Sequence, residues 1–221
     1  MNVGVLGTGT VGQTLATAIV GLGHAVCMGS RSTPNDRALA WADSQGDAAS
    51  AGTFAQAAAF GEVVVNCTAG VHSLEALHAA GADALAGKVL IDVANPLDFS
   101  GGFPPRLAVV GDDSLAEQIQ RAFPLTRVVK ALNTVTASVM VDPAGLAEPT
   151  DLFVAGNDPA AKALVIDLLA ALGWSRERVR DLGGIGAARA TEMYLMLWLS
   201  LMSAVGSAQF NVRVVPAEGA E

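Results

Sequence analysis

The sequence holds two cysteines, three histidines and a single tyrosine in 221 residues, and each scarcity excludes something. Cys27 and Cys67 both stand in apolar runs, which reads as two buried free thiols rather than a disulfide or a metal pair. His24, His72 and His78 lack metal-ligand spacing. Tyr194 lies in a late apolar segment, with no Ser–Tyr–Lys arrangement and no His–Asp relay in view, so a side-chain proton donor for a developing alkoxide is missing. Lysine and arginine number 13 against 21 aspartates and glutamates, a net charge of −8. No global basic field exists for nucleic acid or for an anionic membrane. Long apolar runs are scarce too. Residues 193–205 are apolar on nearly all sides, but the run is shorter than the roughly 20 residues of a spanning helix and follows Arg189 and Glu192. It predicts a buried or dimer-forming helix. A strand opens the chain with no leader before it, which points to the cytoplasm.

What is abundant is core. Hydrophobic residues make up 52% of the chain and charged residues 15%, enough for one large domain or one domain with a short appendage. Short apolar runs at 3–6, 25–28, 63–67, 88–93, 127–132, 151–155 and 179–182 read as strands. Helical patterns fall between them, at 12–22, 33–45, 53–59, 71–79, 114–122, 159–172 and 187–206. Pro34 is placed near the first turn of the second helix. The strands lack a period of two, the mark of a mostly parallel sheet covered on both faces. Residues 98–105, with two glycines and two prolines, read as a surface loop, and 212–215 as a short last strand. The predicted class is α/β: a Rossmann-type doubly wound sheet over 1–149, with a smaller C-terminal α/β extension over 150–221 ending in the long apolar helix.

Gly7-Thr8-Gly9-Thr10-Val11-Gly12 follows the first strand and opens a helix. In that setting G-x-G-x-x-G is a dinucleotide loop. Gly7 permits a tight turn, Gly9 lets backbone approach a pyrophosphate, and Gly12 lets helix and strand pack closely. The helix N-terminus offers free N–H groups and a positive dipole end to phosphate. The second strand then ends Met28-Gly29-Ser30-Arg31-Ser32-Thr33, without the carboxylate that holds the ribose 2′-hydroxyl of NAD. Arg31 attracts a 2′-phosphate and Ser30 and Ser32 add hydroxyls, with Arg37 nearby. The cofactor implied is NADP(H).

Other strand ends carry small or polar groups. They are Cys67-Thr68-Ala69-Gly70-Val71-His72, Ala94-Asn95-Pro96 and Ala131-Leu132-Asn133-Thr134. Small residues there leave room for a nicotinamide ring, and Asn95, Asn133 and Thr134 can hydrogen-bond its carboxamide or the substrate. His72, Pro96, Asn133 and Thr134 are the substrate-side candidates. His72 reads equally as a surface residue. Lys130, inside an apolar run, reads as the structural partner of a carboxylate. With no acid or base in sight, the catalytic residues stay unassigned. Direct hydride transfer between two cofactors fits, because proton handling can then fall to the second cofactor.

Over nearly its whole length the chain resembles the small F420-dependent NADP oxidoreductases. The glycine loop, Gly29-Ser30-Arg31, Val129-Lys130-Ala131-Leu132-Asn133-Thr134, Gly156-Asn157-Asp158 and Asp181-Leu182-Gly183 carry the resemblance. It implies hydride transfer between NADPH and the deazaflavin F420. It also implies 2′-phosphate contacts at Ser30 and Arg31, a nicotinamide-side loop at Thr68, Ala69 and His72, a matching contact at Ala137, and a deazaflavin pocket lined by 183–192. Two positions depart from the pattern. Asn133 stands where archaeal members tend to carry histidine, and 69–72 lacks the bulky aromatic of some members. Both lie on the acceptor side, where a flavin is the alternative acceptor. Two other readings stand beside this one. A reductase of small carbonyls or imines usually has a longer helical C-terminal domain. A non-catalytic NADP-binding redox sensor would bind without turnover. A homodimer is expected if residues 193–205 pack against a second copy.

Overall fold

The computed structural model describes residues 1–217 and Gly219. Its first half alternates strand and helix, with a helix pair before the fifth strand: β1 Asn2–Leu6, α1 Thr10–Gly21, β2 Ala25–Ser30, α2 Asp36–Gln45, β3 Ala49–Thr53, α3 Phe54–Phe60, β4 Val63–Asn66, α4 Ser73–Ala80, α5 Ala82–Leu85 and β5 Val89–Asp92. A small hairpin of β6 Leu97–Asp98 and β7 Arg106–Leu107 follows. Then come α6 Leu115–Ala122, β8 Arg127–Ala131, α7 Ala137–Val141, β9 Leu152–Gly156, α8 Pro159–Ala171, β10 Val179–Asp181 and α9 Ala188–Val205.

Eight strands form one sheet in the order β10-β9-β8-β5-β4-β1-β2-β3. Neighbours from β3 to β8 are parallel, β9 turns antiparallel to β8, and β10 runs parallel to β9. The parallel strands have the 3-2-1-4-5-6 order of a doubly wound dinucleotide fold. Its ligand crevice lies beyond the carboxyl ends of the strands, where the order reverses. Here that point falls between β1 and β4.

The sheet is apolar on both faces because both are covered. Val63 and Val65 of β4 and Val89 and Ile91 of β5 join a core with α1, α7 and α8 residues such as Leu15, Ile19, Met140 and Val165. Their neighbours Val64 and Leu90 face the opposite core, with Ala57, Leu77 and Ile119 of α3, α4 and α6. Burying each large aliphatic side chain contributes about 1.5–3 kcal/mol. Helix starts are capped as their residues suggest. Asn35 accepts from Ala38 N at 3.1 Å, Ser114 from Glu117 N at 3.2 Å, and Asp158 from Ala161 N at 2.9 Å. Each such cap is worth about 1 kcal/mol.

Four expectations change. The second helix opens at Asp36, because the Asn35 cap starts it after Pro34 rather than around it. Residues 49–53 form β3, which their small side chains conceal. Residues 137–141 form a helix that the sequence reading leaves out. Residues 212–215 are not a strand: Asp151 N donates to the Val212 carbonyl and Val214 N to the Asp151 carboxylate, which tethers an irregular tail. The long apolar helix, α9, is only half buried. Ala188, Thr191, Glu192 and Leu195 face inward, whereas Met193, Leu197 and Val205 are exposed. No helix among the described residues is long and apolar enough to cross a membrane.

Candidate dinucleotide site

The turn between β1 and α1 is built for close backbone approach. Gly7 has a φ of 120° and donates to the Gly29 carbonyl at 2.9 Å. A Cβ on Gly12 would lie 2.2 Å from the Gly7 carbonyl oxygen, so only glycine lets the helix rise this tightly off the turn. Gly9 is different. It is the N-cap of α1, has no side chain to cap the helix, and a Cβ there would meet nothing within 4 Å. The space over Gly9 is therefore open to a ligand, and the first-turn N–H groups of α1 lie beside it, where an anion is favoured.

Two adjoining cavities run along the carboxyl edge of the sheet. The smaller, of about 310 Å³, is lined by Gly7, Thr8, Gly9, Ser30, Arg31, Asn35 and Phe54, among others. The larger, of about 670 Å³, extends past Thr10 and Val11 to Val93–Asn95, the β6 hairpin, Asn133–Ala137, Met140, Leu195 and Trp198. Cys67, Thr68, Ala69 and His72 line both, so the segment after β4 is the shared wall. An elongated ligand with two heads fits this shape, its middle passing the glycine turn.

At the first head, Arg31 is exposed and Ser30 is buried. The Ser30 hydroxyl donates to the Ser32 carbonyl at 2.6 Å, so it shapes the turn that presents Arg31. Ser32 is exposed and lines neither cavity. The carboxylate at this groove belongs to Glu75 on α4, whose Oε2 lies 3.7 Å from His72 Nδ1. Arg37 lies outside both cavities, facing a separate groove between α1 and α2.

At the second head the polar groups divide. Asn95 and Asn133 hold each other: Asn95 Nδ2 donates to the Asn133 carbonyl at 2.8 Å and Asn133 Nδ2 to Asn95 Oδ1 at 3.0 Å. Asn133 Nδ2 also reaches the Thr191 carbonyl at 3.0 Å. These amides brace the wall. Thr134 is buried and its hydroxyl has no partner among the described residues. Pro96 is buried and lines neither cavity; it backs Gly70, where a Cβ would lie 2.0 Å from the Asn95 carbonyl. Ala137 lines the larger cavity as the first residue of α7. Burial, with Asp92 adding to it, pushes the Cys67 thiol well above the ordinary range.

Residues 183–192 do not line either cavity. Glu192 turns inward to Lys130 at 2.9 Å, Arg189 pairs with Glu117 at 2.6 Å, and Ile185 N donates to Asn157 Oδ1 at 2.9 Å. The wall contributed by α9 comes instead from Leu195 and Trp198, further along the helix. Sequence reasoning misses these two, and Phe99 of the hairpin, because apolar side chains at helical spacing read as core.

Strand order, glycine turn and paired cavities define a Rossmann-type dinucleotide-binding protein. Residues 2–96 match the family described as NADP oxidoreductase, coenzyme F420-dependent. A crystal structure from Arthrobacter sp. FB24, provisionally named an F420-dependent NADP reductase, is 49% identical with a TM-score of 0.92, over 98% of this chain and 100% of that one. The F420-dependent NADP reductase of Methanocaldococcus jannaschii is 31% identical over 137 residues, 61% of this chain and 59% of that protein. Metalloreductase STEAP3 of Rattus norvegicus is 31% identical over 199 residues, 86% of this chain and 36% of that protein. The chain thus spans less than two thirds of either of these two curated relatives. It belongs to the F420-dependent NADP oxidoreductase family, whose members are NADP-dependent oxidoreductases.

Proposed function

We propose that the chain transfers a hydride between NADP(H) and a deazaflavin of the F420 type, with a flavin as the alternative acceptor. The observation that carries this is the pair of cavities joined by Cys67, Thr68, Ala69 and His72. One has a glycine turn and an exposed arginine; the other is larger than a nicotinamide ring needs and has Trp198, Leu195 and Phe99 in its walls. NADPH, when bound, supplies the hydride. Gly7, Thr8, Gly9, Thr10, Val11 and Gly12 would hold its pyrophosphate, and Arg31, presented by Ser30 and Ser32, its 2′-phosphate. Thr68, Ala69, Asn95 and Ala137 would shape the nicotinamide end. Thr134, with its unpartnered hydroxyl, and His72 are the polar groups nearest the acceptor, while Asn133 and Pro96 brace that side.

Within this reading the part of the chain from residue 150 completes the acceptor cavity through Leu195 and Trp198. Two chains associate through the exposed apolar face of α9, which keeps Met193, Leu197 and Val205 from water. The protein works in the cytoplasm, where NADPH is at hand, and needs no metal of its own.

Following NADPH oxidation with F420, FMN and FAD as separate acceptors tests the proposal. Turnover with F420, or with a flavin, is the expected result. Tight NADPH binding with no turnover on any of the three contradicts it and favours the sensor reading.

A further inference from the structure

Beneath the floor of the two cavities runs a continuous chain of buried polar side chains. Glu192 of α9 accepts from Leu115 N at 2.8 Å and Ala116 N at 3.1 Å, at the start of α6. Lys130 of β8 bridges Glu192 Oε1 and Asp92 Oδ2, each at 2.9 Å, and also donates to the Ala94 carbonyl. Asp92 Oδ1, at the end of β5, accepts from Asn66 Nδ2 at 2.8 Å and from Ala94 N at 3.3 Å. Asn66 Nδ2 reaches Ser73 Oγ at 3.1 Å. Asn66 Oδ1, at the end of β4, takes the Thr68 hydroxyl at 2.7 Å, and Thr68 Oγ1 lies 2.8 Å from Ser73 Oγ.

The two ends of this chain differ. Thr68 and Ala94 line the cavities, whereas Asn66, Asp92, Lys130 and Glu192 are buried to 1% exposure or less and line none. A buried polar network of this kind rigidifies what it touches when its members are satisfied, and it fails sharply when one is removed. Asn66 is the joint. It is the side chain that ties the charged half of the chain to the loop after β4.

We propose that Asn66 is a positioning residue for the nicotinamide end of the cofactor: through Thr68, and backed by Asp92 and Lys130, it fixes the wall shared by the two cavities. The proposal rests on the NADP(H) reading of the site. It does not depend on which acceptor is used. Asn66 touches no cofactor atom itself. It makes no contact with Arg31 or the Ser30 turn, and although the Cys67–Thr68 backbone it holds also lies against Gly7, the Thr68 side chain it orients faces the nicotinamide end, so its loss falls more heavily on that head of the ligand.

The test compares two ligands by calorimetric titration: NADPH, and 2′-phospho-ADP-ribose, the same molecule without the nicotinamide. In the wild-type protein NADPH binds more tightly, and the ratio measures what the nicotinamide end adds. In Asn66→Ala that ratio falls at least fivefold, the larger loss falling on NADPH. Ser73→Ala, which deletes a single oxygen from the same joint, shifts the ratio in the same direction and stands in if Asn66→Ala fails to fold. Equal losses for both ligands in the Ala variants, or an unchanged ratio, overturn the positioning role. Wild-type protein that binds neither ligand overturns the NADP(H) reading instead, and this inference with it.

Discussion

Lys130 Nζ lies 2.9 Å from Glu192 Oε1, with both side chains 1% exposed, so β8 is tied to the C-terminal helix inside the fold. Burial alone draws the Lys130 ammonium down. Asp92 and Glu192 together outweigh that and hold it above the ordinary lysine value. Burial also raises the Glu192 carboxyl, with Lys130 opposing.

Removing the ammonium leaves two buried carboxylates with no counter-charge. Lys130→Met lowers the unfolding free energy by about 3–5 kcal/mol, read from the urea midpoint. Because the folded-state pKa of Lys130 is raised, its contribution is present below the unfolded value of 10.5 and is lost as the pH rises through the higher folded value. An unfolding free energy within about 1 kcal/mol of wild type at neutral pH contradicts this account of the network.

The glycine loop separates folding from binding. Gly12→Ala forces a Cβ to within 2.2 Å of the Gly7 carbonyl oxygen and should destabilise the protein by at least about 1–3 kcal/mol. Gly9→Ala meets nothing within 4 Å, so its stability changes by less than about 1 kcal/mol. Its methyl group nevertheless enters the space assigned to the pyrophosphate, and NADPH affinity falls at least about tenfold, roughly 1.4 kcal/mol. Thermal melts and NADPH titration of the two variants check this; a Gly9→Ala protein with wild-type affinity would move the pyrophosphate elsewhere.

The architecture was legible where patterning and physics agree. β1, the glycine turn and α1 announce themselves, and the apolar runs of β4 and β5 report a sheet covered on both faces. β3 was hidden for a physical reason. The sheet here is made of small residues because α3 lies almost against it: a Cβ on Gly4 would sit 2.2 Å from the Ala57 carbonyl oxygen, and one on Gly52 2.8 Å from Gln56 Oε1. A segment such as Ala49–Thr53 therefore lacks the bulky β-formers that mark a strand. At the site, residue types were readable but their partners were not. Asn95 and Asn133 look like ligand-binding amides in sequence, and only the fold brings the two together. Lys130 read as a carboxylate's partner, but Asp92 and Glu192 lie 38 and 62 residues away along the chain.

The β6 hairpin beside the larger cavity is pinned by Asp98. The Ser100 N–H and hydroxyl, and then Arg106, lower its carboxyl from 3.8 to about 2. The contribution of this group to hairpin order is thus present above 3.8 and lost as the pH falls through about 2. A carbon-detected NMR titration of the Asp98 carboxyl should show its midpoint near 2, moving upward in Arg106→Ala. A wild-type midpoint near 3.8 contradicts the pinned geometry.

The exposed face of α9 predicts self-association. Leu197, 55% exposed in the single chain, becomes buried when a second chain packs there. Light scattering after size exclusion should give twice the monomer mass for wild type and the monomer mass for Leu197→Glu. A wild-type monomer at micromolar concentration contradicts the dimer.

The central claim is that the groove at Arg31 reads the 2′-phosphate of NADP(H), and paired titrations of NADPH and NADH test it most directly. Wild-type protein should bind NADPH more tightly than NADH, and Arg31→Ala should lose roughly 10–100-fold in NADPH affinity, the worth of a charge-assisted hydrogen bond. NADH binding should barely change. Equal affinity of the wild-type protein for both nucleotides, or equal losses for both in Arg31→Ala, contradicts the claim.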